Sequence, residues 1–560
     1  MYDAIVKEIK QLLDLGTFEW CDLPAGARAL SCKLVLKIKY HADGSYDKHK
    51  ARLTCRGCLQ VKGRDYLESF APTASSNSGR ILDAVAVLNN WHIWQADIAN
   101  AFCQAFVDVP VYLDLPKGID VFDTEKAKSG STKRRALRLV KALYGLCQSP
   151  RLFSVDLART LEKAGFKRCR HEPCMFFKHK DKNTYLFILV YVDDLKITGN
   201  CTQSKIELEE CICKRYGLTK FPTIKSFLGA TYDFEENGEL ITGMRQKFVD
   251  LFAEMPDFCK DSFRKSHPLG SPGDATSWQH LRELTRGDLT KPELYFLDNY
   301  NSIVGMIGWP AKQTRPDLAQ SFSMLSRALK DPQPQDARML RKILQYIWHH
   351  QDLNFHMRRP AWFKPNQSLL ELLGFSDSNY ADGKDKCWRA TTGYCFFLCG
   401  ILIAWKAKRQ DTTACSTYEA ELIAAYAAFL EGIKIMDLLK EMQLLSESYT
   451  CPFFCDNEAV VSSTGKPPED WTKNHLNTKF FRCAELVRFG VYLPRHIDGV
   501  DNCSDIFTKV LKVDDFRKHR NTLLNSALLA VLQILLFATY KLKWIVQFSR
   551  WKALTPIDLA

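Results

Sequence analysis

A chain of 560 residues with 46% hydrophobic side chains can bury several cores, which excludes a disordered protein and points to roughly three or four globular units. Lys and Arg outnumber Asp and Glu by 77 to 64, a formal charge of +13, which favours a polyanionic partner such as nucleic acid or an acidic membrane face. The 20 cysteines are scattered, Cys55 and Cys58 form one CxxC without a second pair at zinc spacing, and the opening MYDAIVKEIKQ has no apolar signal region. Reduced intracellular thiols are therefore expected, not a metal site.

The first 75 residues read as strand and turn, and CKLVLKIKYHADGSYDKHKARLTC gives two alternating runs around an Asp43-Gly44 turn, a basic β-hairpin. Gly79 to Leu88 reads as an apolar helix, WHIWQADIANAF as a strand reaching Asp97, and SVDLARTLEKAGF as an amphipathic helix. Next comes YLFILVYVDDLKITG, an apolar run that meets two adjacent aspartates. Positions 240 to 350 read as mainly helical, with QSFSMLSRAL and ARMLRKILQYIWHH the clearest stretches. RRPAWFKPNQS looks like a linker, and a new domain starts near Leu369. Helices and strands mix in an α+β manner.

Neighbouring residues on a strand point to opposite faces, so Asp193 and Asp194 reach one site only if the chain turns there. The pattern predicts a hairpin tip whose apolar arm holds the carboxylates. Two negative charges so placed call for a cation, and Mg²⁺ favours carboxylate and phosphate oxygens. The plain alternative is an Asp-rich turn facing water. Two further features favour the site: Asp97 ends another apolar strand, followed five residues on by Phe102, and the basic LVKALYGLCQSPRLF lies between the two acidic places.

In this order the segments resemble the reverse transcriptase of copia-type LTR retrotransposon Pol polyproteins, with its D-x-x-x-A-F, L-Y-G-L-K-Q-x-P-R and Y-V-D-D motifs. KARLTCRGCLQVKGRDYLESFAPTAS is similar to the family's fingers, and FLGATYDF to the segment after the hairpin. The resemblance implies a right-hand polymerase of fingers, palm and thumb with connection helices: fingers and palm over 1–240, a mainly helical thumb and connection over 241–368. It implies that Asp97 and Asp193, assisted by Asp194, hold two Mg²⁺ or Mn²⁺ ions for in-line phosphoryl transfer to a primer 3′-hydroxyl. Phe102 would be a steric gate against the nucleotide 2′-hydroxyl, or else a packed core aromatic. Lys50 and Arg52 would meet the incoming triphosphate, or else form a solvated basic strand. Cys147 stands where the family usually has Lys, and Leu152 with Phe153 where it has an aromatic pair.

A second acidic series follows. GFSDSNYADG brings Asp377, STYEAELIAAYAAFLEGI is a long helix, PFFCDNEAVV runs strand to helix around Asp456, and DNCSDIFTKVL carries Asp505. With TTGYCFFL, AWKAKRQ and DIFTK, this resembles the RNase H domain appended to such polymerases, implying an RNase H-like mixed α/β domain over 369–512 that hydrolyses the RNA of an RNA–DNA hybrid with two metal ions. On the helix, Ser416 and Glu419 fit a capping box, which leaves Glu421 as the metal ligand. Glu421 shares its face with Ala425, Ala428 and Gly432, a smooth stripe that lets the helix approach the sheet. His496, nine residues before Asp505, reads either as a proton shuttle or as a solvated loop residue. KRRALRLVK gathers Lys133, Arg134, Arg135, Arg138 and Lys141 for the template backbone, with a solvated loop as the alternative. In KNHLNTKFFR, Asn477 replaces a common acid and has no assigned role.

Residues 513–560 form an apolar tail outside the family pattern, in which Leu523 to Tyr540 permits a membrane span, an amphipathic helix or fused flanking sequence. Zinc-knuckle, protease and integrase motifs do not precede the polymerase, so a piece of a polyprotein is expected. The expected function is an RNA-directed DNA polymerase with RNase H, copying retrotransposon RNA into DNA. Its partners would be RNA template, DNA primer, RNA–DNA hybrid, dNTPs and other Pol products such as integrase, within the cytoplasm and the nucleus. The competing readings are a degenerate or domesticated remnant that binds nucleic acid without catalysis, and a membrane-anchored interaction protein resting on the tail alone.

Overall fold

The computed structural model describes residues 1–40, 45–114, 134–181, 184–273, 284–366, 369–380, 388–466 and 478–525. Asp43, Gly44, Lys133, Asn477 and most of the expected tail span lie outside them. Two compact units emerge, Met1–Ser75 with Ile93–Thr223, and Ser76–His92 with Ile224 onward. Each mixes helices and sheets, as an α+β chain should.

In the first unit the chain begins with a helix, Tyr2–Asp14, where the sequence suggested only strand and turn. Its apolar residues recur at helical spacing, and Ile9 and Leu12 are fully buried in a cluster with Leu53, Leu113, Leu137 and Leu139. The basic hairpin forms as expected, Cys32–Tyr40 against Tyr46–Cys55. The main sheet has six strands, in the order Leu218–Phe221, Ile93–Ile98, Asp194–Gly199, Thr184–Tyr191, Met175–Asp181 and Lys167–Arg168. In its centre Leu186, Phe187, Ile188 and Leu189 are all buried, so both faces of Thr184–Tyr191 are covered. That explains a continuous apolar run in place of an alternating one. Leu186 and Ile188 pack in one core with Phe153, Leu157 and Leu161 of the helix Ser149–Lys163 and Leu208 and Ile212 of the helix Thr202–Arg215.

The second unit takes in two segments that the sequence placed with the fingers and palm over 1–240. The helix Ser76–Asn89 belongs here because buried Arg80 donates to the carbonyls of Ile403 and Lys312, each at 2.8 Å, and lies 3.9 Å over the Trp405 ring. Residues 224–243 follow because Leu240–Gly243 pairs with Phe355–Met357, far along the chain. Helices then dominate from Arg245–Ala253 to Pro334–His349. The expected linker is pinned instead of loose: Phe363 is buried, Trp91 Nε1 donates to Asn366 Oδ1 at 2.9 Å, and Asn366 N donates to Asn89 Oδ1 at 2.9 Å.

A five-stranded mixed sheet closes the unit, in the order Ile401–Arg409, Thr391–Leu398, Leu372–Asn379, Cys451–Cys455 and Tyr492–His496. The first three strands are antiparallel, and Cys451–Cys455 and Tyr492–His496 run parallel to Leu372–Asn379. The helix Thr417–Glu441 lies on this sheet through buried Ala425, Ala428 and Gly432. The segment assigned to a tail from 513 begins as a helix, Val513–Leu524, which buries Phe516, His519, Leu523 and Leu524. Among the described residues no helix is long and apolar enough to cross a membrane, and every described cysteine is a free thiol.

Gly432 tests the helix-on-sheet packing, because a Cβ there would lie 2.4 Å from Tyr492 Oη and 2.7 Å from the Phe396 ring. Helix propensity favours Gly→Ala by roughly 0.5–1 kcal/mol, whereas overpacking costs about 1–3 kcal/mol. Gly432→Ala should therefore lower stability. Gly305→Ala, on the exposed side of Tyr300–Gln313 with nothing within 4 Å of its Cβ, should raise it by about 0.5–1 kcal/mol. Denaturant melts of both variants check the opposite signs.

Candidate active sites

The first site is built by the hairpin Thr184–Tyr191 and Asp194–Gly199, whose ends Tyr191 and Asp194 pair around a two-residue turn of Val192 and Asp193. Val192 has a φ of +58°, a left-handed conformation that β-branched residues rarely adopt. The strain is held by the buried arm and by Ile98 N, which donates to Asp193 O at 2.9 Å. Asp194 stands directly across the sheet from Asp97. The turn thus brings all three expected acids together.

Like charges in direct opposition are destabilising, and the carboxyl groups show it. Asp194 is pushed up to about 6 by burial, then by Asp193 and Asp97, despite a 3.5 Å hydrogen bond from Gln95 Nε2. Asp97 is raised by burial and by Asp193, and is drawn back by Lys50, Lys39 and Arg52 of the basic hairpin. Those cations crowd in turn: Lys37 opposes Lys50 and Lys39 opposes Lys48 across the strands. Burial, with Arg52 and Lys39 nearby, lowers the Lys50 ammonium. Such a face calls for a polyanion. Lys37 and Lys39 were missed in the sequence, although the alternating pattern places them beside Lys50.

The Arg52 guanidinium lies 4.6 Å over the Tyr144 ring, and Tyr144 meets half-buried Phe102 edge-on with centroids 5.5 Å apart. Phe102 also packs against Phe153 at 6.3 Å. Tyr144, from LYGLCQ, therefore links the basic strand to Phe102. The departing Cys147 is fixed by its backbone, whose N–H donates to Gln60 Oε1 at 2.7 Å.

KRRALRLVK does not present the free basic row that was expected. Arg135–Leu139 is a strand, and the described cations of the stretch are engaged: Arg134 with Asp114, Arg135 with Asp22 at 3.4 Å, Arg138 with Glu19 at 3.9 Å, and Lys141 Nζ donating to Leu15 O at 2.6 Å.

The second site sits on the five-stranded sheet. Asp377 lies within Leu372–Asn379 and is fully buried, Asp456 follows Cys451–Cys455, and Asp505 sits in the 3-10 turn Cys503–Phe507. Gly393 lets that turn come close, since a Cβ there would lie 2.5 Å from Thr508 Cγ2 and 3.0 Å from Ser504 O. Asn502 Nδ2 fixes it by donating to Ser376 O at 2.9 Å. Glu421 enters from the long helix, 7% exposed, and its Oε1 accepts from Ser378 N at 3.1 Å. Its Oε2 is buried without a hydrogen-bond partner. Burial, followed by the Asp377 charge and then Asp456, raises the Glu421 carboxyl far above the ordinary range; burial and Asp377 likewise raise Asp505.

Of the two glutamates, Glu421 lies beside Asp456 and Glu419 lies at the helix start, with one change to the expected capping box. Ser416 Oγ accepts from Glu419 N at 3.1 Å, but the Glu419 carboxylate accepts from Cys415 N, not from Ser416 N, at 2.7 Å. His496 is the exposed last residue of the edge strand Tyr492–His496, and its Nε2 lies 3.1 Å from Asp456 O. It is neither in a loop nor shown touching Asp505.

Oxygen or sulfur ligands of Asp377, Asp456 and Asp505 lie within 4.8 Å of one another, as do those of Glu421, Cys455 and Asp456. Both groups can hold a divalent ion, and the unpartnered Glu421 Oε2 fits one. Asp97, Asp193 and Asp194 are not so tightly gathered, although their carboxylate oxygens suit the same guest, and burial raises Asp97 and Asp194. A residue beyond the sequence expectations stands among the second group: Lys509, four positions after Asp505.

Residues 15–254 match the family described as reverse transcriptase (RNA-dependent DNA polymerase). The chain is 26% identical over 518 residues to the retrovirus-related Pol polyprotein from transposon TNT 1-94 of Nicotiana tabacum, covering 92% of this chain and 37% of that protein. It is 28% identical over 509 residues to the one from transposon RE1 of Arabidopsis thaliana, covering 90% and 32%. The chain thus spans about a third of the length of these curated relatives. Among solved structures, the foamy viral protease-reverse transcriptase in complex with RNA/DNA hybrid aligns with a TM-score of 0.44 at 13% identity, over 89% of this chain and 53% of that one.

Glu421 and Glu419 make opposite predictions for stability without metal. A carboxyl whose folded pKa lies above its ordinary 4.5 makes the folded state bind more protons than the unfolded one, so stability falls as pH rises above 4.5. Glu421→Gln should therefore raise the melting temperature in chelator-treated buffer, by an amount that grows with pH. Glu419→Ala should cost about 1 kcal/mol, as a lost cap does. Thermal melts across pH check both.

Proposed function

We propose that the chain is an RNA-directed DNA polymerase with an associated RNase H activity, a reading supported by the match of residues 15–254 to the reverse transcriptase family and by the likeness to retrotransposon Pol polyproteins. One observation carries the reading: each compact unit has its own acid cluster on its own sheet, formed by residues in the order that the motifs imply.

In the polymerase site Asp97, Asp193 and Asp194 would hold two Mg²⁺ or Mn²⁺ ions. Bound there, such ions activate an attacking hydroxyl and neutralise the leaving pyrophosphate. Lys50 and Arg52, together with Lys37 and Lys39, receive the triphosphate of a dNTP, since their cross-strand crowding is relieved by an anion. Phe102 is held by Tyr144 and Phe153, a rigid ring suited to exclude a 2′-hydroxyl. In the RNase H site Asp377, Glu421, Asp456 and Asp505 would hold two such ions for hydrolysis of RNA in a hybrid. His496, exposed beside Asp456, has room to move a proton there. RNA template, DNA primer and other Pol products such as integrase complete the proposed partners, in the cytoplasm and nucleus.

Two substitutions separate the sites. Asp193→Asn should cut Mg²⁺-dependent primer extension on an RNA template by about a hundredfold or more, on the scale of losing a preorganised electrostatic group. It should leave hybrid cleavage and hybrid binding in place, because affinity comes mainly from Lys and Arg. Asp377→Asn should do the reverse. Undiminished extension by Asp193→Asn, or extension lost in Asp377→Asn, would overturn the assignment.

A further inference from the structure

Lys509 is fixed in the RNase H-like site by three carboxylates. Its Nζ lies 2.9 Å from Asp377 Oδ1, 2.9 Å from Asp505 Oδ1 and 3.8 Å from Asp456 Oδ2. These are the same three residues whose oxygens are gathered closely enough to hold a cation. The other oxygen of Asp377 is engaged too, because Thr508 Oγ1 donates to Oδ2. Asp377 is fully buried, so no solvent-facing lone pair remains for an entering ion to use first. The adjacent residues Thr508 and Lys509 thus occupy both oxygens of the most buried acid. On the Glu421 side the contrast is plain, since Oε2 has no hydrogen-bond partner.

We propose that Lys509 is a resident cation of this site, which offsets part of the charge of Asp377, Asp456 and Asp505 in the metal-free protein and must be displaced before a divalent ion can bind them. The inference rests on the RNase H reading only for what the ion is used for. The exchange is physically reasonable. An ammonium is a single charge on a flexible four-carbon stem, whereas a divalent ion brings twice the charge at shorter distance. The chain returns from the 3-10 turn at this point, so the released ammonium stays tethered four residues from Asp505. Metal affinity is thereby reduced by whatever the Lys509 contacts contribute, and the metal-free fold avoids an uncompensated cluster of buried charge.

The test uses the full chain with the polymerase acids silenced by Asp97→Asn, Asp193→Asn and Asp194→Asn, so that ion binding reports the remaining site. Free Mn²⁺ is measured by electron paramagnetic resonance during titration, with melting temperature recorded with and without the ion. Lys509→Gln should bind Mn²⁺ about tenfold more tightly, the equivalent of removing one modest competing ion pair. It should also melt lower in chelator and recover when Mn²⁺ is added. Lys509→Arg, which keeps the charge, should stay close to the parent. Unchanged or weaker Mn²⁺ binding by folded Lys509→Gln would overturn the proposal, as would no Mn²⁺ binding by any variant. Hybrid cleavage by the Lys509-containing chain is followed in parallel. Failure to cleave, with the binding pattern as expected, removes the proposed activity and leaves the role of Lys509 standing.

Discussion

Mutual repulsion of carboxylates held on apolar sheets is the constraint from which both sites are built. Separately, each acid would prefer water; burial first and then the neighbouring carboxylates raise the proton affinity of Asp194 and Glu421. The protein offsets this repulsion differently in its two units. In the first, cations of a neighbouring hairpin act from a distance on Asp97. In the second, one ammonium sits directly among the acids. The first arrangement keeps acids and bases on separate elements, and the second places a cation among its acids.

Holding such clusters requires a scaffold that does not yield. In the first unit rigidity comes from a doubly covered strand, which supports a strained Val192 at the tip of its hairpin. In the second it comes from close approach. Gly393 admits the turn carrying Asp505, and Gly432 admits the helix carrying Glu421, so two small residues set the spacing of the acids on either side of Asp377. Local stability is given up at the acids and regained in the surrounding aromatic packing, where Phe429 stacks on Tyr492 at 3.9 Å.

The distribution of positive charge matters more than its total. A net +13 suggests a polyanion-binding chain, yet the densest basic stretch in the sequence has its described cations paired with Asp114, Asp22 and Glu19 or bonded to a carbonyl. Exposed ion pairs of that kind contribute little stability, but they leave less positive charge for a partner. The hairpin of Lys37, Lys39, Lys48, Lys50 and Arg52 has the opposite character, because like charges face each other across its strands.

The sequence by itself determined the two-aspartate hairpin, the strand to Asp97, and the long helix with its cap. In each case the reason is local: strand and helix periodicity, turn geometry and capping act over a few residues. It did not reveal the first helix, whose amphipathic spacing was present in AIVKEIKQLL but was read as strand and turn. Only tertiary structure decided the rest. The apolar pattern of Ser76–Asn89 cannot say which core it enters, and contacts of Arg80 with residues more than two hundred positions away assign it to the second unit. The cations of KRRALRLVK were visible, but not their acidic partners on distant strands. Lys509 likewise lay in plain view within DIFTK, where nothing local separates it from a solvated lysine. Its role follows from a turn that brings its Nζ to Asp377, 132 residues earlier in the chain, because electrostatic partnership depends on distance in space.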